Sequence, residues 1–392
     1  MKRALIVTSI GGFLPQFEMN DVRILQQYGM DVHYASNFQN PVYQLDLDML
    51  HRQGIQTHPV SISKSPSKFF QNLKAFFQVK RLIDQEEIDL VHCHNPMGGV
   101  VARLAAAMSK RKPKVIYTAH GFHFYKGAPL LNWLLYYSAE RFLAHFTDCL
   151  ITINAEDERR AKRFRLKRRG KVFLIHGVGV DMTRFSPQPN KNAAIRAQLG
   201  IPADAFHIVT AAELNENKNQ TAVIRAVAVL EDPSVYYSIC GKGPWEEKLR
   251  TEIDRYGLSE KVKLLGYRDN MEDILQSADC FAFPSLREGL GVAAVEALAC
   301  GVPVIATDNR GSREYLQDHV NGLRCDAADP ASFTQTLRTL KSDELLRERL
   351  HSQCRESVEN FSLTDTDKRM RRIYWEVIHE SGRNRTGKHA GT

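Results

Sequence analysis

Short apolar, β-branched runs alternate along this chain with longer stretches in which apolar positions recur every three or four residues. The runs at 4–8, 31–35, 89–92, 115–118, 149–153 and 172–175 predict buried strands. The segments 69–84, 99–109 and 130–145 predict the amphipathic helices between them. Pro187 and Pro189, among polar neighbours, break the rhythm, which then resumes with strands expected at 207–211, 235–240, 262–265, 280–283, 304–306 and 322–325. Strand–helix alternation of this kind means helices packed on mostly parallel sheets. The expected fold class is therefore α/β, with two doubly wound, Rossmann-like domains facing across a cleft. The boundaries this suggests are a first domain at 1–185, a linker at 186–193 and a second domain at 194–362. A helix at 363–380 then carries Met370, Ile373, Tyr374, Val377 and Ile378 on one face and is expected to cross back to the first domain. Residues 381–392 are expected to be a disordered tail.

Length agrees with two domains, since 392 residues exceed one ordinary core. No uncharged apolar run reaches the roughly eighteen residues of a membrane span. The opening MKRALIVTSIGG has basic residues and a short apolar run, but it breaks at Gly11 and Gly12. It reads as a first strand entering a glycine loop, not a leader, and a cytoplasmic protein is expected. The seven cysteines form no CxxC pair and sit mostly in apolar segments, as buried free thiols do.

The net charge of +8 favours anionic partners. Nine basic residues crowd into 159–171 with only Phe164 among them for stacking, so nucleic acid is not the expected partner. A solvated helix face and an anionic membrane surface both remain open. Phe69, Phe70, Leu73, Phe76 and Phe77 leave a similar choice between packing on the first sheet and meeting lipid, with the basic run assisting the second.

The densest chemical signal is FPSLREGLGVAAVEALACGVPVIA at 283–306. A strand ends near Pro284, and Gly289 and Gly291 let backbone approach a ligand. A helix then runs from about Gly291 to Cys300. Its exposed N–H groups and dipole suit a phosphate. Glu288 and Glu296 flank the turn.

This segment, with its E-x7-E pair at Glu288 and Glu296, resembles the signature of the family-4 retaining glycosyltransferases of GT-B fold. The likeness extends over nearly the whole chain, through HGVGVD at 176–181, the stretch 214–218 and TDNRGSRE at 307–314. VHCHNPMGG at 91–99, TAHGFH at 118–123, KGAPLLNW at 126–133 and TDCLITIN at 147–154 resemble bacterial exopolysaccharide and capsule members. The resemblance implies a metal-independent enzyme without cofactor, using a UDP-sugar, with an N-acetylhexosamine or hexose to transfer and a lipid-linked or oligosaccharide acceptor. It implies that Glu288 meets donor-sugar hydroxyls and Glu296 the ribose. Backbone N–H groups of Gly289, Leu290 and Gly291 would hold sugar and distal phosphate, and Lys218 the diphosphate. Gly11 and Gly12 would lie against acceptor or phosphate, His120 beside the transferred sugar, His94 on the acceptor side, and Tyr267 and Arg268 near the base. Where many members have arginine in the donor site, this chain has Glu213; Arg287, Lys242 and Arg310 are candidate replacement cations.

A metal is not expected. Asp46-Leu-Asp48 sits on a surface helix, and His92, His94, His120 and His123 match no standard spacing and show no carboxylate partner. Two other readings stay open: a non-catalytic nucleotide-sugar sensor or scaffold in a synthase complex, and a UDP-sugar epimerase. Neither Gly11-Gly12-Phe13 nor Gly241-Lys242-Gly243 completes the dinucleotide fingerprint, which argues against a dehydrogenase.

Overall fold

The computed structural model describes residues 2–39, 41–188, 192–327, 329 and 331–379. The expected tail at 381–392 and part of the expected linker, 189–191, lie outside the described residues. The chain forms two compact units, Met1–Val178 with Thr364–Thr392, and Gly179–Leu363.

The first unit is built on β1 (Lys2–Val7), β2 (Met30–Ser36), β3 (Ile55–Pro59), β4 (Leu90–His94), β5 (Lys114–Ala119), β6 (Cys149–Thr152) and β7 (Lys171–Leu174). They pair in parallel in the order β3-β2-β1-β4-β5-β6-β7. The second unit holds β8 (Phe206–Ala211), β9 (Val235–Cys240), β10 (Val262–Gly266), β11 (Cys280–Phe283), β12 (Val304–Thr307) and β13 (Gly322–Cys325). Their order is β10-β9-β8-β11-β12-β13, again parallel. Each sheet reverses its winding once, between β1 and β4 and between β8 and β11. Beyond the carboxyl ends of those strand pairs the connecting loops diverge, which is where open α/β sheets bind ligands.

The apolar runs became strands because both faces of each sheet are covered, so Leu5, Ile6, Val7, Ile208 and Val209 are all fully buried. The alternation did not announce β3. It is an edge strand with Ile55 alone buried, and Pro59, which cannot donate to a ladder, closes it.

The helix Phe69–Gln85 divides the aromatic group that the sequence left open between packing and lipid. It buries Asn72, Ala75, Val79 and Ile83 against the sheet, and so turns Phe69, Phe70, Leu73 and Phe77 outward. Only Phe76 of that aromatic group packs partly on the core. Helix Pro96–Met108 and the helical segment from Leu130 to Ala144 cover the same face of the sheet. Leu130, Leu131, Leu134, Leu135 and Phe142 are exposed there.

The first unit ends at Val178, earlier than the proline pair suggested. The chain after it belongs to the second unit, where Arg355 donates to the carbonyls of Met182 and Phe185 at 2.8 and 2.9 Å. The last helix, Leu363–His379, is part of the first unit from Thr364 onward. Met370, Ile373, Tyr374 and Val377 are buried at i, i+3, i+4 and i+7, whereas Ile378 is only half-buried. All seven cysteines are buried free thiols, and burial pushes Cys93 up to about 12, which makes it inert at neutral pH. No described helix is long and apolar enough to cross a membrane.

Candidate functional site

In the second unit the candidate residues gather where β8 and β11 diverge. After β8, the side chain of Asn215 accepts from the Lys218 amide at 3.1 Å and shapes a short turn, Glu216–Lys218. Asn217 ties this turn to the loop after β11. Its carbonyl accepts from the Leu286 amide at 2.8 Å, and its side chain donates to the Arg287 carbonyl at 2.9 Å. The two loops thereby bring Lys218 Nζ to 2.5 Å from Glu288 Oε1, with both side chains largely buried. The ammonium also lies 5.1 Å over the Phe283 ring.

Gly291 caps the helix Val292–Ala299 with φ +105 and no side-chain hydrogen bond. A Cβ there would stand 2.8 Å from the Phe283 ring and 3.2 Å from Tyr315. The residue is glycine for two reasons, the left-handed backbone and the crowded floor beneath it. The amides opening the helix carry no side-chain cap and the positive end of its dipole, so they favour an anion. Leu290 is buried, so only its backbone is available to a ligand. Glu296, in the next turn, is pushed up to about 7 by burial. Arg184 opposes that shift and Glu272 adds to it.

A third loop, after β12, braces the first two. The Asn309 side chain accepts from the amides of Gly311 and Ser312, both at 3.0 Å, and donates to the Ser285 carbonyl at 3.0 Å. Arg310 Nε donates to the Glu288 carbonyl at 3.2 Å. A Cβ on Gly311 would be 2.6 Å from Glu288 Cβ. Of these bracing residues the sequence reading singled out only Arg310. Asn309 was legible as an Asx cap two and three residues before the amides it serves.

Glu213 is exposed and accepts from the Asn215 side chain at 3.0 Å, so it takes neither Lys218 nor the Glu288 loop as partner. Gly241 and Gly243, rejected as a dinucleotide motif, have a packing role. Cβ atoms on them would come within 1.9 and 2.3 Å of the carbonyl oxygens of Ala212 and Leu214. Tyr267 and Arg268 follow β10 at the far edge of the sheet. Tyr267 is exposed, and Arg268 lines a surface depression with Ile195, Ile253 and Asn270.

In the first unit, Gly11 and Gly12 are buried. Cβ atoms there would stand 2.7 Å from the Asn37 carbonyl oxygen and 2.4 Å from that of Tyr43, so packing within the chain accounts for both. His94 ends β4 and is fully buried, turned toward His120 and Glu18 instead of outward. His120, after β5, is half-buried.

The carboxylates that the sequence did not show beside these histidines come from the first helix, two consecutive helical segments, Leu14–Glu18 and Met19–Gln27, where Glu18 and Asp21 are both buried. Leu14, Glu18, Asp21, Val22 and Leu25 fall at helical spacing and are all buried, so the signal was an apolar stripe with two acids in it. Asp21 Oδ2 is 3.4 Å from His92 Nδ1, which also meets the Tyr374 hydroxyl at 2.7 Å, while His92 Nε2 meets Thr118 at 2.8 Å. Burial raises Glu18 well above the carboxylate range and Asp21 to about 7. It lowers His92 to about 3 and His120 to about 4. Asp46 is a helix cap, accepting from the Met49 amide at 2.8 Å.

Comparison with known proteins adds the family. Residues 191–357 match the family described as glycosyl transferases group 1, and residues 14–154 match glycosyl transferase 4-like. A putative glycosyltransferase, EpsD, of Bacillus subtilis is 39% identical over 377 residues, covering 95% of this chain and 96% of its own. A UDP-Gal:alpha-D-GlcNAc-diphosphoundecaprenol alpha-1,3-galactosyltransferase of Escherichia coli is 26% identical over 79% of this chain and 80% of its own. Among solved structures, Anabaena Alr3699/HepE in complex with UDP and glucose superposes with a TM-score of 0.77 at 19% identity. That match covers 96% of this chain and all of the other.

Proposed function

This chain belongs to the group 1, 4-like family of glycosyltransferases with the GT-B fold, and on that premise we propose that it moves a hexose or N-acetylhexosamine from a UDP-sugar to a lipid-linked or glycan acceptor in polysaccharide synthesis. The observation that carries the reading is the Lys218–Glu288 pair beside the start of helix Val292–Ala299, which has no side-chain cap hydrogen bond. A cation, a row of amides and a carboxylate within one loop cluster are what a sugar diphosphate needs.

In this reading the bond from the anomeric carbon to the distal phosphate breaks, and its electron pair leaves with UDP. Lys218 and the amides of Gly289, Leu290 and Gly291 stabilise that charge without a metal on the diphosphate. The acceptor hydroxyl attacks from the same face and gives its proton to the departing phosphate, so configuration is retained. Glu288 holds hydroxyls of the donor sugar, Glu296 the ribose and Arg268 with Tyr267 the base.

The acceptor side is supported by the surface of the first unit. The outward apolar residues of Phe69–Gln85 and of 130–142 lie over one face of the sheet. Arg163, Arg165, Arg168 and Arg169 of the same unit are exposed. A protein working on the cytoplasmic face of a membrane, peripherally bound to anionic lipid, would use both.

The test is UDP release from a panel of UDP-sugars with and without an undecaprenyl-diphosphate-sugar acceptor, followed by NMR of the product's anomeric centre. Acceptor-dependent release with unchanged anomeric configuration is expected. Inversion, or conversion of the donor without acceptor, would overturn the reading.

A further inference from the structure

We infer that the first unit contains a divalent transition-metal site formed by Glu18 Oε1, His94 Nδ1 and His120 Nε2. The three atoms stand 3.4 Å (Glu18 to His94), 3.5 Å (Glu18 to His120) and 3.2 Å (His94 to His120) apart. A tetrahedral ion with ligands at about 2.0–2.1 Å holds them about 3.3–3.4 Å from one another. The triangle therefore has the dimensions of one face of such an ion, leaving a fourth position for water or a ligand oxygen.

Hydrogen bonding alone explains the triangle poorly. One proton between the two imidazoles satisfies their facing nitrogens. It leaves Glu18 Oε1 buried with no hydrogen-bond partner among the described residues. An O–H···N contact from a protonated Glu18 would be near 3.4 Å, well beyond the usual length of about 2.7–2.9 Å. Buried polar atoms are rarely left in that condition. The neighbouring group of Asp21, His92 and His94 also converges, but both His92 nitrogens are engaged by Tyr374 and Thr118. Of these two groups among the described residues, the Glu18 one contains a buried oxygen, Oε1, that no hydrogen bond engages.

The chemistry of the donors fits a zinc-like ion. Burial keeps both imidazoles neutral at physiological pH, with lone pairs available. A dication beside Glu18 would offset the cost of burying its charge. Two nitrogens and one carboxylate oxygen select Zn²⁺ or Co²⁺ over Mg²⁺. The ligands come from the first helix and from the ends of β4 and β5, so the ion would lie at the divergence of the first sheet. A small cavity bounded by Glu18, Asp21, His120, Gly177 and Thr366 adjoins it. The ion would occupy His120 Nε2 and leave Nδ1 to face a sugar. It is independent of the diphosphate chemistry in the second unit.

The experiment uses tag-free full chain stripped with a chelator and titrated with Co²⁺ alone. One equivalent should bind with the visible spectrum of tetrahedral cobalt, and Zn²⁺ should displace it. Glu18→Gln and His120→Ala should each weaken cobalt binding by at least about tenfold to a hundredfold, the range that follows loss of even an outer partner. His120 is partly exposed, so its variant checks against misfolding at Glu18. UDP affinity, measured on the same samples, reports the second unit separately. No stoichiometric uptake by the wild type, an octahedral spectrum, or wild-type cobalt affinity in both variants would overturn the site.

Discussion

Lys218 Nζ and Glu288 Oε1, seventy residues apart in sequence, meet at 2.5 Å because the Asn217 carbonyl and side chain stitch together the loops that carry them. The pair is poised: a diphosphate arriving at the helix start would draw Lys218 away and free Glu288 for sugar hydroxyls. Lys218→Ala removes a charge-assisted bond worth about 1.5–3 kcal/mol. UDP affinity measured by calorimetry should fall about tenfold to a hundredfold. Glu288→Gln should keep UDP affinity or raise it, because a carboxylate no longer competes for the lysine, while turnover drops by about a hundredfold or more. If both variants bind UDP as the wild type does, the diphosphate lies elsewhere.

Glu296 should give the protein a pH signature. Its carboxyl is raised from 4.5 to about 7, chiefly by burial, with Glu272 adding and Arg184 opposing. In the unfolded chain it ionises near its ordinary value; in the folded chain it stays protonated until near neutrality. Its contribution to stability is therefore fully present below about pH 4.5 and is lost as pH rises through about 7. Glu296→Gln cannot ionise. The melting temperature of the wild type, taken relative to that variant, should decline between pH 5 and about 7.5 and then level off. A difference that stays flat across this window would mean Glu296 is not held protonated.

How much of this was readable in advance follows from the physics of each element. The central strands were legible because both faces are buried and only apolar runs survive there. The edge strand β3 was not, since one buried residue in five leaves no period to detect. The helix start at Gly291 was legible because its glycines, flanking acids and following apolar run all point to one local geometry. The meeting of Lys218 with Glu288 depends on β8 lying beside β11, a neighbourhood that family resemblance implies and residue spacing does not. Glu18 and Asp21 were hidden for a different reason. A carboxylate on a helix is normally solvated, and nothing in the spacing of residues 14–25 shows that β4 and β5 bring His92, His94 and His120 against Glu18 and Asp21.

The outward apolar surface of the first unit leads to a third prediction. Phe70 and Leu134 are 84% and 68% exposed, so replacing both with serine should leave the melting temperature nearly unchanged. If the protein docks on lipid through this face, each side chain contributes up to about 1.5–3 kcal/mol when immersed. Sedimentation with anionic vesicles should then fall at least tenfold in the double variant. It should weaken with added salt in the wild type, because each exposed arginine contributes about 1 kcal/mol near the surface. Equal sedimentation with neutral vesicles at every salt concentration would remove the membrane role.

Two glycines of the second unit offer a test of how closely its loops approach. Gly241 has φ +140, and a Cβ there would stand 1.9 Å from the Ala212 carbonyl oxygen, so alanine must both adopt a strained backbone and push apart the loops after β8 and β9. Gly257 has φ +64 with nothing within 4 Å of its would-be Cβ, so alanine there meets strain alone. Backbone strain costs of order 1–3 kcal/mol, and overpacking adds about as much again. At about 2–4 °C per kcal/mol for a unit of this size, Gly241→Ala should lower the melting temperature by roughly 4–24 °C and Gly257→Ala by about half as much. Because Leu214 and Lys218 follow directly from the displaced loop, Gly241→Ala should also weaken UDP binding, whereas Gly257→Ala should not. Similar shifts in the two variants would mean that the loops after β8 and β9 are not in contact, and the placement of Lys218 would lose its support.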